Sequence, residues 1–404
     1  MFKRKQKKQK QESDLMIALD IGTEYVKTAV FRKNENQVEI VGFDRAKQQE
    51  SSMSGAFIID INNVVDTVDK SLGKAFSVAE KLLGENIVLP EKAILGIAGE
   101  LIQGVTILVN VDRENPDKPI DEKELNSTIN KIKKTSFDSI KEELAEELGL
   151  RQAQITEIDT NINSVYIDGV KVINPVGFTG SELVYRVYST FAPKVHVDSI
   201  KNVTNELGLV AEKIIVQPYA LALAHEGARE NNFSAILVDI GGGTTDVAIV
   251  ENGDIVGTRM FAIGGRVFTK RIQKEFGCSY DEAENLKISY TDGKLSEKKK
   301  DQIKDAIRED ISTWLTGLEL ALGDFEDVNN FPSQIYLCGG GAMLPDIQEG
   351  LLEHPWLQVL PFQKFPNINF FFPNKVRNVL DKTRMANQIM DVTPLALARM
   401  HLKI

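Results

Sequence analysis

The chain has 404 residues, enough for roughly two to four domains with ample cores. Its 42% hydrophobic and 26% charged content is that of an ordinary globular protein, and a net charge of -10 argues against a general nucleic-acid binder. No run of 18 apolar residues is present to span a membrane. Cys278 and Cys338 make no disulfide framework or C-x-x-C site, which favours a reducing compartment, and His196, His225, His354 and His401 lack metal-ligand spacing.

Residues 1–11 carry six positive charges behind Met1 and Phe2 in an otherwise acidic chain. Two readings stand: a solubilising tail, or a polybasic patch held against anionic lipid with Met1 and Phe2 in the interface. The segment lacks the apolar region of a secretory signal. Leu15–Asp20 is read as a strand ending in Asp20-Ile21-Gly22-Thr23, with Val26–Phe31 returning beside it. A polar loop is expected around Lys47–Ser54. Asn62 is expected to cap a helix to Leu83 whose face is Val65, Val68, Leu72, Phe76, Ala79 and Leu83.

From Ile87 to about Val172 the texture changes to that of an inserted subdomain. It has strands at Lys92–Ala98 and Gly104–Val111, then a helix capped by Asp121 with Glu124 three residues on and Leu125, Ile129 and Ile132 inward. A second short helix, Ser139–Leu148, precedes strands at Gln154–Ile162 and Ser164–Ile167 and a turn at Asp168-Gly169. Its alternating charges read as a solvated surface. Asn174–Gly180 is a turn-rich return, followed by strand Leu183–Phe191, helix Val197–Leu207, strand Ala211–Val216 and helix Tyr219–Ala228, with Pro218 at the helical start.

The strongest signal lies in Leu237–Ile249, where Asp239-Ile-Gly241-Gly242-Gly243-Thr244-Thr-Asp246 joins two strands. Glycines allow a backbone approach that a Cβ would block, and successive free amides form a nest for an anion, most naturally a phosphate. Asp239 and Asp246 bracket the nest as a hydrated divalent cation beside phosphate requires. After a hairpin turn at Glu251–Asp254 and strand Ile255–Ile263, Gly264-Gly265 opens a helix towards Phe276, a further candidate anion or ribose contact. Glu284, Lys287, Asp292 and Lys294 read as a charged link before a long helix from about Ser296, whose core-facing stripe runs from Ile303 to Leu322. Ser333–Cys338 is a strand entering Gly339-Gly340-Gly341, a platform for a base or sugar. Leu357–Leu360 is read as a strand, Asn367–Pro373 as a phenylalanine-rich loop and Thr393–His401 as a closing helix.

Together the three glycine turns resemble the actin-like ATPase superfamily: an α/β fold of two lobes around a nucleotide cleft. Within it the chain resembles the bacterial cell-division protein family FtsA, through Asp20–Thr23, Asn174–Gly180, Asp239–Asp246, Gly264-Gly265, Glu284–Lys287 with Tyr290, and Gly339–Pro345. The insertion also sits where that family keeps a small subdomain, a feature shared by the related pilus-assembly family PilM. The implied division is 1–13 as a basic tail, 14–86, 173–215 and 365–404 as the first lobe, and 87–172 as the inserted subdomain. The second lobe would comprise 216–265 and 331–364, with 266–330 as a helical subdomain.

The resemblance implies an ATP- and magnesium-binding protein that self-assembles, holds an FtsZ-like tubulin homologue and other divisome partners at the inner face of the membrane, and hydrolyses ATP slowly at most. Gly22, Thr23, Gly241, Gly242, Gly243 and Thr244 would cradle phosphates. Asp20 and Asp239, with Asp246, would hold magnesium through waters, and Gln217 would orient the attacking water. Gly265, Glu284, Lys287, Gly339, Gly340 and Gly341 would approach the nucleoside. A PilM-like cytoplasmic adaptor and a nucleotide-free scaffold are the alternatives, and a small-molecule kinase is a remote one. Three departures stand out. The family's C-terminal linker and amphipathic helix are not found before Ile404: either the anchor lies with another protein, or the basic N-terminus partly replaces it, or the tail is absent from this version. Arg266 and Arg271 stand where acids are usual, and Cys338 and Asp346 replace a threonine and a glycine.

Overall fold

The computed structural model describes residues 14–402 except 85, 148, 150, 173, 231 and 326–327. The basic tail therefore lies outside the described residues. Leu15–Ile21, Ala235–Ile240 and most of Thr245–Glu251 are buried at every position, as strands covered on both faces must be. Each of the two large sheets grows from such a strand.

The first sheet runs Val210–Val216, Lys92–Ile97, Leu15–Ile21, Tyr25–Asn34, Gln37–Lys47, Val379–Asp381. The second runs Asn367–Phe370, Gln334–Cys338, Ala235–Ile240, Thr245–Glu251, Asp254–Phe261, then Gln103–Asp112, Glu182–Pro193, Ile155–Ile167 and Val170–Val172. The same unit recurs in both. Three antiparallel strands begin with an acid-and-glycine hairpin, and two parallel strands join beside the first of them. This is a mixed α/β architecture of two like lobes, as the actin-like reading requires.

Helices Ile61–Leu83, Lys194–Glu206 and Val392–Arg399 pack on the first sheet, and Gln217–Ala224 packs between the two sheets, against Val392–Arg399 and Thr245–Glu251. Gly265–Phe276, Tyr280–Thr291, Glu297–Gly323 and Pro345–Glu353 cover the second around Trp314 and Trp356, both fully buried. The inserted strands share a separate small core of Ile120, Ile132, Val165, Ile167, Leu183, Tyr185 and Val187. They join the second sheet through Gly257 opposite Val105 and Thr258 opposite Gly104. Asp254 fastens the junction, accepting from Ser164 at 3.0 Å and pairing with Lys171 at 2.9 Å.

Several local expectations change. Asp60, not Asn62, caps the first helix, taking the Asn63 amide at 3.1 Å, and the buried face centres on Val64, Val68, Leu72, Ala75 and Ala79. Asp121 does accept the Glu124 amide at 2.8 Å, but Glu124 turns its carboxylate to Arg113. The helix continues from Glu122 to Glu147 rather than breaking in two. Ile155–Ile167 is one strand with a register shift beside Asn163, which is why it reads as two. Gln37–Lys47 and Asn367–Phe370 are strands, and Trp356–Val359 is a helical turn rather than a strand. The charged link is itself a helix, Tyr280–Thr291, started by the Ser279–Glu282 capping box. Lys92–Ile97 lies in the first sheet, while Glu182–Pro193 and Asn367–Phe370 lie in the second, so sheet membership cuts across the sequence division.

Candidate nucleotide cleft

Each lobe offers one tight hairpin. The Gly22 amide donates to the Tyr25 carbonyl at 3.1 Å, and the Gly241 amide to that of Thr244 at 2.9 Å. The two turns meet face to face. A methyl on Gly242 would stand 2.8 Å from Glu24 Cβ, and one on Gly243 would stand 2.7 Å from the Gly55 carbonyl oxygen. Glycine is required for that approach. The amides of Gly242, Gly243 and Thr244 donate to no carbonyl among the described residues, so the turn keeps free donors for an anion.

Between the lobes lies a cleft of about 520 Å³. Asp20, Gly22, Thr23, Gln217, Asp239, Gly241, Gly242, Thr244, Asp246, Gly265, Glu284, Lys287, Gly339, Gly340 and Gly341 all line it. Gly243 instead faces a neighbouring cavity of about 490 Å³. Glu284 accepts from Lys287 at 2.8 Å, and Lys287 also donates to Thr269 Oγ1 at 2.7 Å. The amides of Gly265 and Arg266 are taken by the carbonyls of Gly241 and Gly242 at 2.9 and 2.8 Å. That helix start therefore braces the second glycine turn.

Asp20, Asp239 and Asp246 are all buried at the cleft floor. Asp239 and Asp246 are cross-strand partners, so their two buried carboxyl groups lie on the same face of the hairpin. Burial pushes the Asp239 carboxyl up, opposed by Lys27 and by a 2.7 Å bond from Thr393. Burial, then Asp239 and Asp20, push Asp246 well up, and its Oδ1 has no partner among the described residues. Gln217 Nε2 donates to Asp20 Oδ1 at 2.9 Å, which ties its amide to the carboxylate.

Lys27 was not singled out in the sequence, yet it supplies the compensating charge. Its Nζ lies 2.9 Å from Asp20 Oδ2 with 13% of its side chain exposed. The signal was available: counting outward from the Gly22 turn puts Lys27 opposite Asp20 in the hairpin register. Arg266, one of the departures, bridges the lobes through Glu24 at 2.8 Å and the Thr23 and Met53 carbonyls at 2.6 and 3.2 Å. Arg271 is engaged by Asp310 at 2.7 Å within its own lobe.

Three buried carboxylates against one ammonium leave negative charge that a hydrated divalent cation fits. No group of three His, Cys, Asp or Glu side chains among the described residues is placed to ligate an ion directly. The unpartnered Asp246 gives a direct test. Burial raises its carboxyl, so ionising it costs the folded chain more than the unfolded one, and stability falls as pH rises through and above the ordinary carboxylate range. Asp246→Asn removes the charge at nearly constant volume. In urea unfolding without magnesium the variant is expected to be more stable than the parent by about 1–3 kcal/mol near neutral pH. That gain should shrink in acid. A destabilised Asp246→Asn would refute this account of the site.

The family profile described as "Cell division protein FtsA" matches residues 236–364, from the strand before the second glycine turn to beyond the third. "Cell division protein FtsA" of Bacillus subtilis is 26% identical over 294 residues, 72% of this chain. The protein of that name from Streptococcus pneumoniae is 25% identical over 406 residues, 94% of this chain. This chain is a relative of FtsA. The match spans 61% of the length of the Bacillus FtsA and 81% of the Streptococcus FtsA. A solved "PilM-PilN type IV pilus biogenesis complex" shares the fold, with a TM-score of 0.67 over 96% of this chain and 99% of the other at 16% identity. No helix among the described residues is long and apolar enough to cross a membrane.

Proposed function

We propose that this FtsA relative is a nucleotide-gated actin-like protein of cell division. It binds ATP with magnesium, assembles with its own copies, and recruits an FtsZ-like tubulin homologue and other divisome partners to the inner face of the membrane. The observation that carries the reading is the pair of opposed glycine turns above the carboxylates, in a chain whose curated relatives are cell-division proteins.

In this reading Gly22, Thr23 and Gly241–Thr244 hold the phosphates. Asp20, Asp239 and Asp246 hold the hydrated cation, and Glu284, Lys287 and Gly339–Gly341 line the nucleoside side. Magnesium supplies the charge that lets a polyphosphate sit beside these acids. Gln217 orients water only after releasing Asp20, so turnover is slow. Closure of the lobes, rather than hydrolysis, then sets the geometry of an assembling protomer. The fold-wide likeness to PilM supports a second reading, an adaptor of pilus or envelope assembly.

Calorimetry of magnesium-ATP on the intact chain and on Asp239→Ala, followed by sedimentation, separates these readings. Binding weakened at least about ten-fold in the variant, with nucleotide-dependent pelleting of the parent, is the expected result. Binding without pelleting favours the adaptor. No binding by the parent refutes nucleotide gating.

A further inference from the structure

Glu24 follows the first phosphate turn directly, and the nucleotide reading gives it no task. Its side chain is 12% exposed, lines the cleft and stands at the point where the two turns touch. Oε2 takes Arg266 Nε at 2.8 Å and the Tyr280 hydroxyl at 3.0 Å, both reaching across from the second lobe. Oε1 is buried and has no partner among the described residues. Thr23, meanwhile, donates its hydroxyl to the Gly55 carbonyl, and its own carbonyl accepts from Arg266.

We propose that Glu24 sets how many phosphates the cleft accepts, so that a nucleoside diphosphate binds more tightly than the matching triphosphate. The inference rests on the nucleotide reading and adds to it a ligand preference. Two terms act together. Contact between Glu24 and Gly242 leaves little room between the turns. Charge does the rest: the acids Asp20, Glu24, Asp239, Asp246, Glu284 and Asp292 line the cleft against Lys27, Arg45, Arg266 and Lys287, which leaves an excess of negative charge. Each added phosphate comes nearer the Glu24 oxygen that accepts no hydrogen bond among the described residues, in a carboxylate only partly offset by Arg266 on its other oxygen. Arg266 moderates the effect because it pairs with Glu24.

A clasp that merely held the lobes together would behave differently. Removing either partner would then loosen both nucleotides alike. If Glu24 reads phosphate charge, its removal and the removal of Arg266 act in opposite directions.

The experiment is displacement of a fluorescent ADP analogue by ADP or ATP, each with magnesium, from the full chain, Glu24→Gln and Arg266→Gln. Circular dichroism checks that both variants are folded. The parent is expected to favour ADP about ten-fold, the scale of one poorly screened like-charge neighbour. Glu24→Gln should bring the ratio towards one, and Arg266→Gln should widen it. A parent ratio at or below one, an unchanged ratio in Glu24→Gln, or the same direction of change in both variants overturns the proposal. Failure of the parent to bind either nucleotide is a distinct result, because it removes the nucleotide reading along with the preference.

Discussion

Lys27→Met is expected to cost about 3–5 kcal/mol of stability near neutral pH, measured by urea unfolding, because it strands a buried charge cluster without its cation. Methionine keeps the length and bulk of the side chain, so the loss reports charge rather than packing. In the parent, burial works against the ammonium, but attraction to Asp20, then Asp239 and Asp391, outweighs it and raises the Lys27 pKa. A lysine raised in this way contributes fully below its ordinary range and loses that contribution only in strong alkali. Across the neutral and mildly acidic range the parent's Lys27 is therefore a constant. The variant's deficit should shrink as pH falls, because Asp239 and Asp246 are already raised and take up protons readily. A deficit below about 1 kcal/mol, or one independent of pH, would show that Lys27 is not the counter-charge of this site.

The parts of the fold legible in the sequence are those where one residue type has one physical use. The glycine turns mark the hairpins because a methyl on Gly22 would stand 2.8 Å from the Tyr25 carbonyl oxygen and one on Gly242 the same distance from Glu24 Cβ. The stripe from Ile303 to Leu322 marks the long helix because its period matches the core. The helix Tyr280–Thr291 escapes that logic. Its buried residues are Tyr280, Ala283, Glu284 and Tyr290, two aromatics with polar tips, a methyl and an acid, so no apolar stripe announces it. Its Ser279–Glu282 box was the available clue. Asn367–Phe370 reads as a loop because it is an edge strand with alternating asparagines, and its pairing with Gln334–Cys338 is a tertiary fact.

The same limit holds within the cleft. Asp20 and Asp239 are visible from their turns, and Lys27 was reachable by counting hairpin register. Thr393 on Asp239 and Arg266 on Glu24 join residues 154 and 242 positions apart, which no local pattern encodes. The departure at Arg266 acquires a meaning only when Glu24 is seen opposite it. An acid on the first turn and a base on the second helix start restore the neutrality that two like charges would destroy.

The third glycine turn provides a pair of substitutions whose outcomes separate folding from binding. Gly339 has φ +84°, and a methyl there would stand 2.2 Å from Asp239 Oδ1 and 2.5 Å from the Ile240 carbonyl oxygen. The backbone oxygen cannot retreat without disturbing the strand that carries Asp239. Left-handed strain and overpacking together put the cost of Gly339→Ala at about 3–5 kcal/mol. Gly340, the next residue, has φ -66° in the ordinary helical region, and its methyl would meet only Met390 Cε at 3.6 Å. Gly340→Ala should therefore leave thermal stability within about 0.5 kcal/mol of the parent, as at an unconstrained surface position. Yet Gly340 lines the cleft, so its methyl would occupy the face that the proposed function gives to the nucleoside. The expected pattern is loss of both stability and ATP binding in Gly339→Ala, and loss of binding alone in Gly340→Ala, read by thermal unfolding and calorimetry on the same samples. Unaltered binding in Gly340→Ala would move the nucleoside away from this turn, whereas a tolerated Gly339→Ala would contradict the packing between the turn and Asp239.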